Sequence, residues 1–276
     1  MSAPDVSAPD VSAPDVSAPG ASVPGASVPD VSVSVPDVSV NATTEVVLVH
    51  SSDLHVDDGV TADAHGGDGT AGLALVLAAA RTLRADVILL AGDTFDHNRL
   101  PASVLRHAAA HLHDAGVPIV ILPGNHDPAM PGCVHLRGGF GDIPQVHVLG
   151  VTHDDAVLLA RWDLEIWGLA HRDYADMAPL PGPRPRRTRW QIVMAHGHYE
   201  PSLDPAKSLR PSWLFGDAAI AATGADCVAL EHWNRAARVG NGTVPAYYSG
   251  SPELAGTVNV VRLVRGGVTV RREPLA

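Results

Sequence analysis

The sequence predicts an α/β fold of mixed β-sheets with helices packed outside them, preceded by a structureless N-terminal tail. Three observations support this. From Glu45 onward, short apolar runs rich in Val, Ile and Leu recur, as strands buried on both faces require. Helix-like stretches separate the first three runs, giving a β-α-β-α-β order. Before them, residues 2–40 repeat a proline-containing pentad that has no means of building a core.

The pentad is SAPDV three times in register, then SAPGA, SVPGA and two copies of SVPDV, without one aromatic residue. Residues 1–44 are therefore expected to be a disordered or polyproline-II-like tail, and residues 45–276 a single domain. The strand-like runs are Val46 to Val49, Val87 to Leu90, Ile119 to Leu122, Ile192 to Met194 and Cys227 to Leu230. Gly72 to Leu83 and Ala102 to Ala115 read as helices, the second opened by Pro101 and stopped by Gly116. Near the end, Val258 to Val264 and Val268 to Arg272 flank Arg265-Gly266-Gly267, a hairpin signal.

Composition narrows the function. The chain has 276 residues, 46% of them hydrophobic, enough for a proper core. Its two cysteines, Cys133 and Cys227, are far apart and outside any zinc-ribbon or disulfide spacing, so a reducing cytoplasmic location is expected. The opening MSAPDVSAPD has no basic and apolar signal regions, and no run of eighteen apolar residues occurs, so neither export nor a membrane span is expected. A net charge of -11 argues against a broad basic face for duplex nucleic acid. The one basic run, Arg184, Arg186, Arg187 and Arg189, reads as a solvated loop.

Polar residues fall just after the strand-like runs, on the rim where α/β sheets bind ligands. The segments are Asp53-Leu54-His55, Gly92-Asp93-Thr94-Phe95-Asp96, Gly124-Asn125-His126-Asp127, His196-Gly197-His198 and His232-Trp233-Asn234. Singly each is weak: an Asp after a strand is often a helix cap, and Gly-Asn is often a turn. Together, in this order, they supply oxygen and nitrogen donors for divalent cations and no sulfur. No phosphate-binding P-loop, dinucleotide fingerprint or nucleophile elbow competes with them.

These segments resemble the calcineurin-like metallophosphoesterase superfamily, whose pattern is D-x-H, G-D-x-x-D, G-N-H-D or -E, a later His, and G-H-x-H. Ser52-Asp53-Leu54-His55, Gly92 to Asp96 and Tyr248-Ser249-Gly250-Ser251-Pro252 are similar to its bacterial DNA-repair exonuclease branch. The resemblance implies two mixed sheets packed as a sandwich flanked by helices, and two divalent metal ions, manganese above all, with iron or zinc as alternatives. It implies that Asp53 and His55 hold the first metal, that Asp93 bridges, and that Asn125, His196 and His232 hold the second. His126 then matches the family's catalytic histidine and Asp96 its carboxylate partner. The implied reaction is two-metal hydrolysis of a phosphate ester, with His126 serving the leaving group. A DNA or nucleotide substrate and an ATPase partner are further implications of the resemblance alone.

The last motif departs from the pattern: G-H-x-H is here Glu231-His232-Trp233-Asn234. Asn234 stands where a second histidine would complete the first metal's shell, and Glu231 adds bulk and charge. An amide oxygen is a poorer donor than imidazole to late transition metals, so a loosely held first metal is expected. His196 is preferred to His198 as ligand because it directly follows the strand. His107 and His111 read as a solvated helix face, His50 as a packed strand residue, and His113, His135, His147, His153 and His171 as belonging to no constellation. The motif wording favours a phosphodiesterase or nuclease. The alternatives are a small-molecule nucleotide phosphoesterase and a metal-binding member with weakened activity.

Overall fold

The computed structural model describes residues 45–175, 177–202 and 213–276; the tail expected over residues 1–44 lies outside the described residues. In chain order the elements are β1 (Glu45–Ser51), α1 (Val60–Ala64), α2 (Ala71–Thr82), β2 (Val87–Leu90), α3 (Ala102–Asp114), β3 (Ile119–Ile121), α4 (Val134–Arg137) and β4 (Val146–Val148). They continue as β5 (Ala156–Leu159), β6 (Leu164–Gly168), β7 (Trp190–His196), β8 (His198–Tyr199), β9 (Leu214–Phe215) and α5 (Asp217–Ala222). The last are β10 (Cys227–Glu231), β11 (Ala237–Val239), β12 (Ala246–Tyr248), α6 (Pro252–Ala255), β13 (Thr257–Val264) and β14 (Gly267–Pro274).

Two six-stranded sheets result, ordered β14-β13-β1-β2-β3-β4 and β11-β12-β10-β7-β6-β5, with β8 and β9 as a separate pair. Both are mixed. In the first, β1, β2, β3 and β4 run parallel and the β13–β14 hairpin joins β1 antiparallel. In the second, β6, β7, β10 and β12 run parallel.

Side-chain alternation divides the apolar residues into layers. Val87 and Leu89 of β2 meet Ile192 and Met194 of β7 and Cys227 and Ala229 of β10 in a core between the sheets. The alternate residues Ile88 and Leu90 face outward onto Leu73, Val76, Leu77 and Ala80 of α2 and Leu105, Ala108 and Leu112 of α3. Val193, Ala195, Val228 and Leu230 pack on the other side, against Phe215 of β9 and Ile220 of α5. Each central strand is thus covered twice, which is why its sequence reads as an unbroken apolar run.

Helix α3 begins and ends as its sequence requires: Pro101 caps it in an extended conformation (ψ 152°), and Gly116 follows in the left-handed region (φ 69°). The hairpin turns through Arg265 and Gly266, with Gly267 (φ 126°) already paired to Val264. The arginine run departs from expectation because acids across the fold, one of them buried, recruit it. Arg187 and Arg184 (3.4 Å) both ion-pair with fully buried Glu165 of β6, Arg184 also pairs with Asp155 (2.8 Å), and Arg186 pairs with Asp226 (2.8 Å). Arg189 lies over the Trp190 ring at 5.1 Å.

Candidate metal centre

Parallel strands with one polarity bring their C-terminal ends to one rim, and the motif residues follow those ends. Asp53 and His55 follow β1, Asp93 and Asp96 follow β2, Asn125 and His126 follow β3, His196 ends β7, and His232 follows β10. The first two loops prolong the β1–β2 pairing: His55 N donates to Asp93 O (3.1 Å), Val56 N to Thr94 O (3.0 Å) and Asp96 N back to Val56 O (3.0 Å). Asp127 ties the third loop to the second, its carboxylate accepting from Gly124 N (2.7 Å) and Phe95 N (3.1 Å). Buried His135 stands 3.3 Å from that carboxylate, so this histidine does belong to the constellation's support.

Among the described residues, two sets of ligand atoms lie within 4.8 Å of one another: those of His55, Asp93 and His126, and those of Asp93, His196 and Glu231. Asp93 is common to both. Asp53 Oδ1 holds His55 Nε2 at 3.0 Å, while His55 Nδ1 lies 3.1 Å from Asp96 Oδ1. His126 donates from Nδ1 to the Asp96 backbone carbonyl (2.9 Å), and the Asp96 carboxylate stands farther off at 3.6 Å. The Asp96 carboxylate expected beside His126 therefore engages His55 more closely. Asp93 Oδ1 accepts the His126 backbone N–H (2.9 Å) and lies 3.9 Å from His196 Nδ1.

His196 is fully buried, and His198 is half-buried with its Nδ1 accepting from Trp233 Nε1 (3.0 Å). Trp233 in turn stacks on Tyr248 (centroids 4.4 Å apart), which anchors the irregular loop. The His232 ring is 5.4 Å from that of His196. Asn125 lines a cleft with Asp96, His97, Arg99, His126 and Tyr174. Asn234 is exposed, its backbone carbonyl accepting from Ser251 N (3.4 Å).

Two residues outside the expected ligand set stand in the centre. Glu231, foreseen only as added bulk and charge, is fully buried and touches His196 Nδ1 with Oε2. Strand parity marks it: positions 227 and 229 face the inter-sheet core, so 231 does as well. His171, assigned to no constellation, is buried with its ring 4.8 Å from that of His196. Sequence offers no such mark for it, because no strand with a fixed parity carries it.

Electrostatics reflect this crowding of acids. Burial, and then the Glu231 charge, push the Asp93 carboxyl well above the usual carboxylate range. Burial and the Asp53 charge do the same to Glu231. Burial would lower His55, yet its hydrogen bond to Asp53 and the charges of Asp93, Asp53 and Glu231 outweigh that and raise it to about 9. Burial lowers His196, and burial with the His196 charge brings His171 to about 3.

The donor set fits divalent cations. Asp53 Oδ2, both His196 ring nitrogens and both Glu231 oxygens are buried and make no well-formed hydrogen bond, His196 Nδ1 and Glu231 Oε2 touching one another, which is costly unless something else coordinates them. The surrounding backbone is cut back to admit these groups. A Cβ on Gly92 would come within 2.7 Å of Glu231 Oε2 and His196 Nδ1, and one on Gly124 within 2.6 Å of Asp93 N.

Comparison with known proteins agrees with this geometry. Residues 46–232 match the calcineurin-like phosphoesterase family. A search of curated proteins finds no match. Among solved structures, TT1561 of Thermus thermophilus superposes with a TM-score of 0.55 at 13% identity, over 84% of this chain and 100% of that one. A putative 5'-nucleotidase from Staphylococcus aureus, solved with alpha-ketoglutarate, gives a TM-score of 0.57 at 13% identity, over 84% of this chain and 54% of that one. This chain thus spans about half of the nucleotidase's length.

Proposed function

The chain belongs to the calcineurin-like phosphoesterase family, and we propose that within it this protein is a nuclease-like phosphodiesterase working with two manganese ions. In this reading Asp53, His55, Asp93, Asn125, His196, His232 and Asn234 form the metal centre, and His126 with Asp96 serves the leaving group. The observation that supports it best is Asp93, whose carboxylate belongs to both sets of converging ligand atoms. Asp93 would be held in common by the two cations, since its carboxylate would offset part of the charge of each. When bound, such cations act as Lewis acids on the phosphoryl group.

The chain's own groups have separate tasks. His126 donates through Nδ1 to the Asp96 carbonyl, so its other nitrogen is free to pass a proton to a departing alkoxide. Its side chain is 43% exposed, within reach of an ester in the adjoining cleft of about 280 Å³. Arg99 on the cleft wall offers a cation to a phosphate oxygen. The net charge of -11 counts against broad duplex binding, and the cleft's size also suits a nucleotide-sized substrate, which is the second reading. The fold neighbour described as a putative 5'-nucleotidase points the same way.

A substrate panel tests both. An aryl phosphodiester, an aryl phosphomonoester, nucleotides, and single- and double-stranded DNA are incubated with the full chain and manganese. The first reading expects metal-dependent turnover of the diester and of DNA, the second of nucleotides alone. Absence of turnover on every ester, with manganese, iron or zinc supplied, would overturn both.

A further inference from the structure

We propose that Glu231 is itself a ligand of the metal centre, a carboxylate that this chain adds beside Asp93 and His196 in a site whose last motif lacks one imidazole. The proposal rests on the metal-dependent reading above and adds a residue to it. Strand geometry is the first argument. Glu231 ends β10 in register with His196, which ends β7. Ile192 and Met194 precede His196 on the inter-sheet face, and Cys227 and Ala229 precede Glu231 there. Both side chains are therefore directed toward Asp93, which comes from the opposite sheet.

The second argument is chemical. Glu231 is fully buried, and its carboxyl meets other members of the centre, His196 Nδ1 and the Asp53 carboxyl. It converges with Asp93 and His196 within 4.8 Å, and the ion pair it forms among the described residues is with His196. A carboxyl buried among other carboxyls either keeps its proton or meets a cation, and the surrounding donors suit a divalent metal that would displace that proton. Room has been made for it, since the Gly92 position admits no Cβ against Glu231 Oε2. A carboxylate added to a site short of one imidazole brings a negative charge and a harder donor. The centre should accordingly favour manganese or magnesium over zinc more strongly than an imidazole-rich site does.

The test uses the full chain stripped with chelator and titrated with manganese by calorimetry, with stoichiometry from elemental analysis. Loss of the outer partners of metal ligands costs about 10–100-fold in affinity, so Glu231→Gln should weaken at least one site by ~10-fold or more. Glu231→Gly should do the same. A gain in affinity in Glu231→Gly, or unchanged binding in Glu231→Gln, would show that the side chain plugs or merely lines the site, and overturns the proposal. Should neither variant fold, anomalous scattering from manganese-soaked parent crystals decides. Glu231 Oε1 or Oε2 within metal–oxygen bonding distance of a peak supports the assignment, and both oxygens beyond it refute it. Binding through Glu231 without turnover of any ester would sink the functional reading and leave the ligand in place. Turnover with binding indifferent to Glu231 would do the reverse.

Discussion

Gly124→Ala isolates how much the centre depends on close backbone approach. The added methyl would stand 2.6 Å from Asp93 N and 2.7 Å from His196 Nδ1, and closer still to the Asp93 carboxylate. A backbone nitrogen cannot rotate away, and His196 is enclosed on all sides, so the β2 and β3 loops must separate. Overpacking of this kind costs about 1–3 kcal/mol. For a domain of this size each kcal/mol lowers the melting temperature by roughly 2–4 °C, so a fall of about 2–12 °C is expected. Asp93 moves with the loop, and a misplacement of about 1 Å in a catalytic group can cost roughly 100-fold in rate. Gly182→Ala is the control, because nothing lies within 4 Å of its added Cβ. Calorimetric melts of the metal-free proteins and manganese-dependent diester turnover are the assays. Parental melting and turnover in Gly124→Ala would refute the argument from close approach.

Asp93→Asn removes the charge shared by both ligand sets, so turnover should be abolished and bound manganese fall from two ions to one or none; near-native turnover with two bound ions would count against the assignment. Deleting residues 1–40 should leave activity and melting temperature nearly unchanged, because the pentads lack apolar bulk, and a large loss of either would show that the tail docks. Burial brings His50 to about 3, below its unfolded value of 6.5. The unfolded chain therefore binds the extra proton between those values, and stability present above pH 6.5 is lost as pH falls toward 3. For His50 alone this loss is ~2 kcal/mol between about pH 7 and pH 5. Denaturant titrations of His50→Gln should show that much less acid sensitivity than the parent, and equal slopes would contradict the burial argument.

The fold was legible where a strand is covered on both faces. Val87 to Leu90 is delimited in the sequence as it is in the structure, because every residue of that run enters one of two cores. Strand β6 was not legible: Glu165 interrupts its apolar run, and the arginines that neutralise it are supplied from about twenty residues away. The short strands β4, β11 and β12 carry only three residues each, too few for a period to show. The same limit explains the arginine run, since a cluster of like charges looks solvated until the acids it meets across the fold are known.

At the site, residue types and order were readable, but backbone conformation was not. Asp53 (φ 56°), His55 (φ 43°), Asp93 (φ 46°) and His232 (φ 122°) all occupy positive φ, a region that non-glycine residues rarely adopt. Four of the six such residues among those described thus fall in motif positions, whereas propensity would have put glycine there. Strain of this kind persists only where surrounding contacts over-determine it. The contacts here are visible: the His55 N–H is held by Asp93 O, the His126 N–H by Asp93 Oδ1, and the Gly124 N–H by Asp127. These bonds hold the loops, and Glu231 enters the centre from a strand whose conformation is regular. Its placement follows from parity alone, which makes it the residue whose role a substitution can probe without also releasing loop strain.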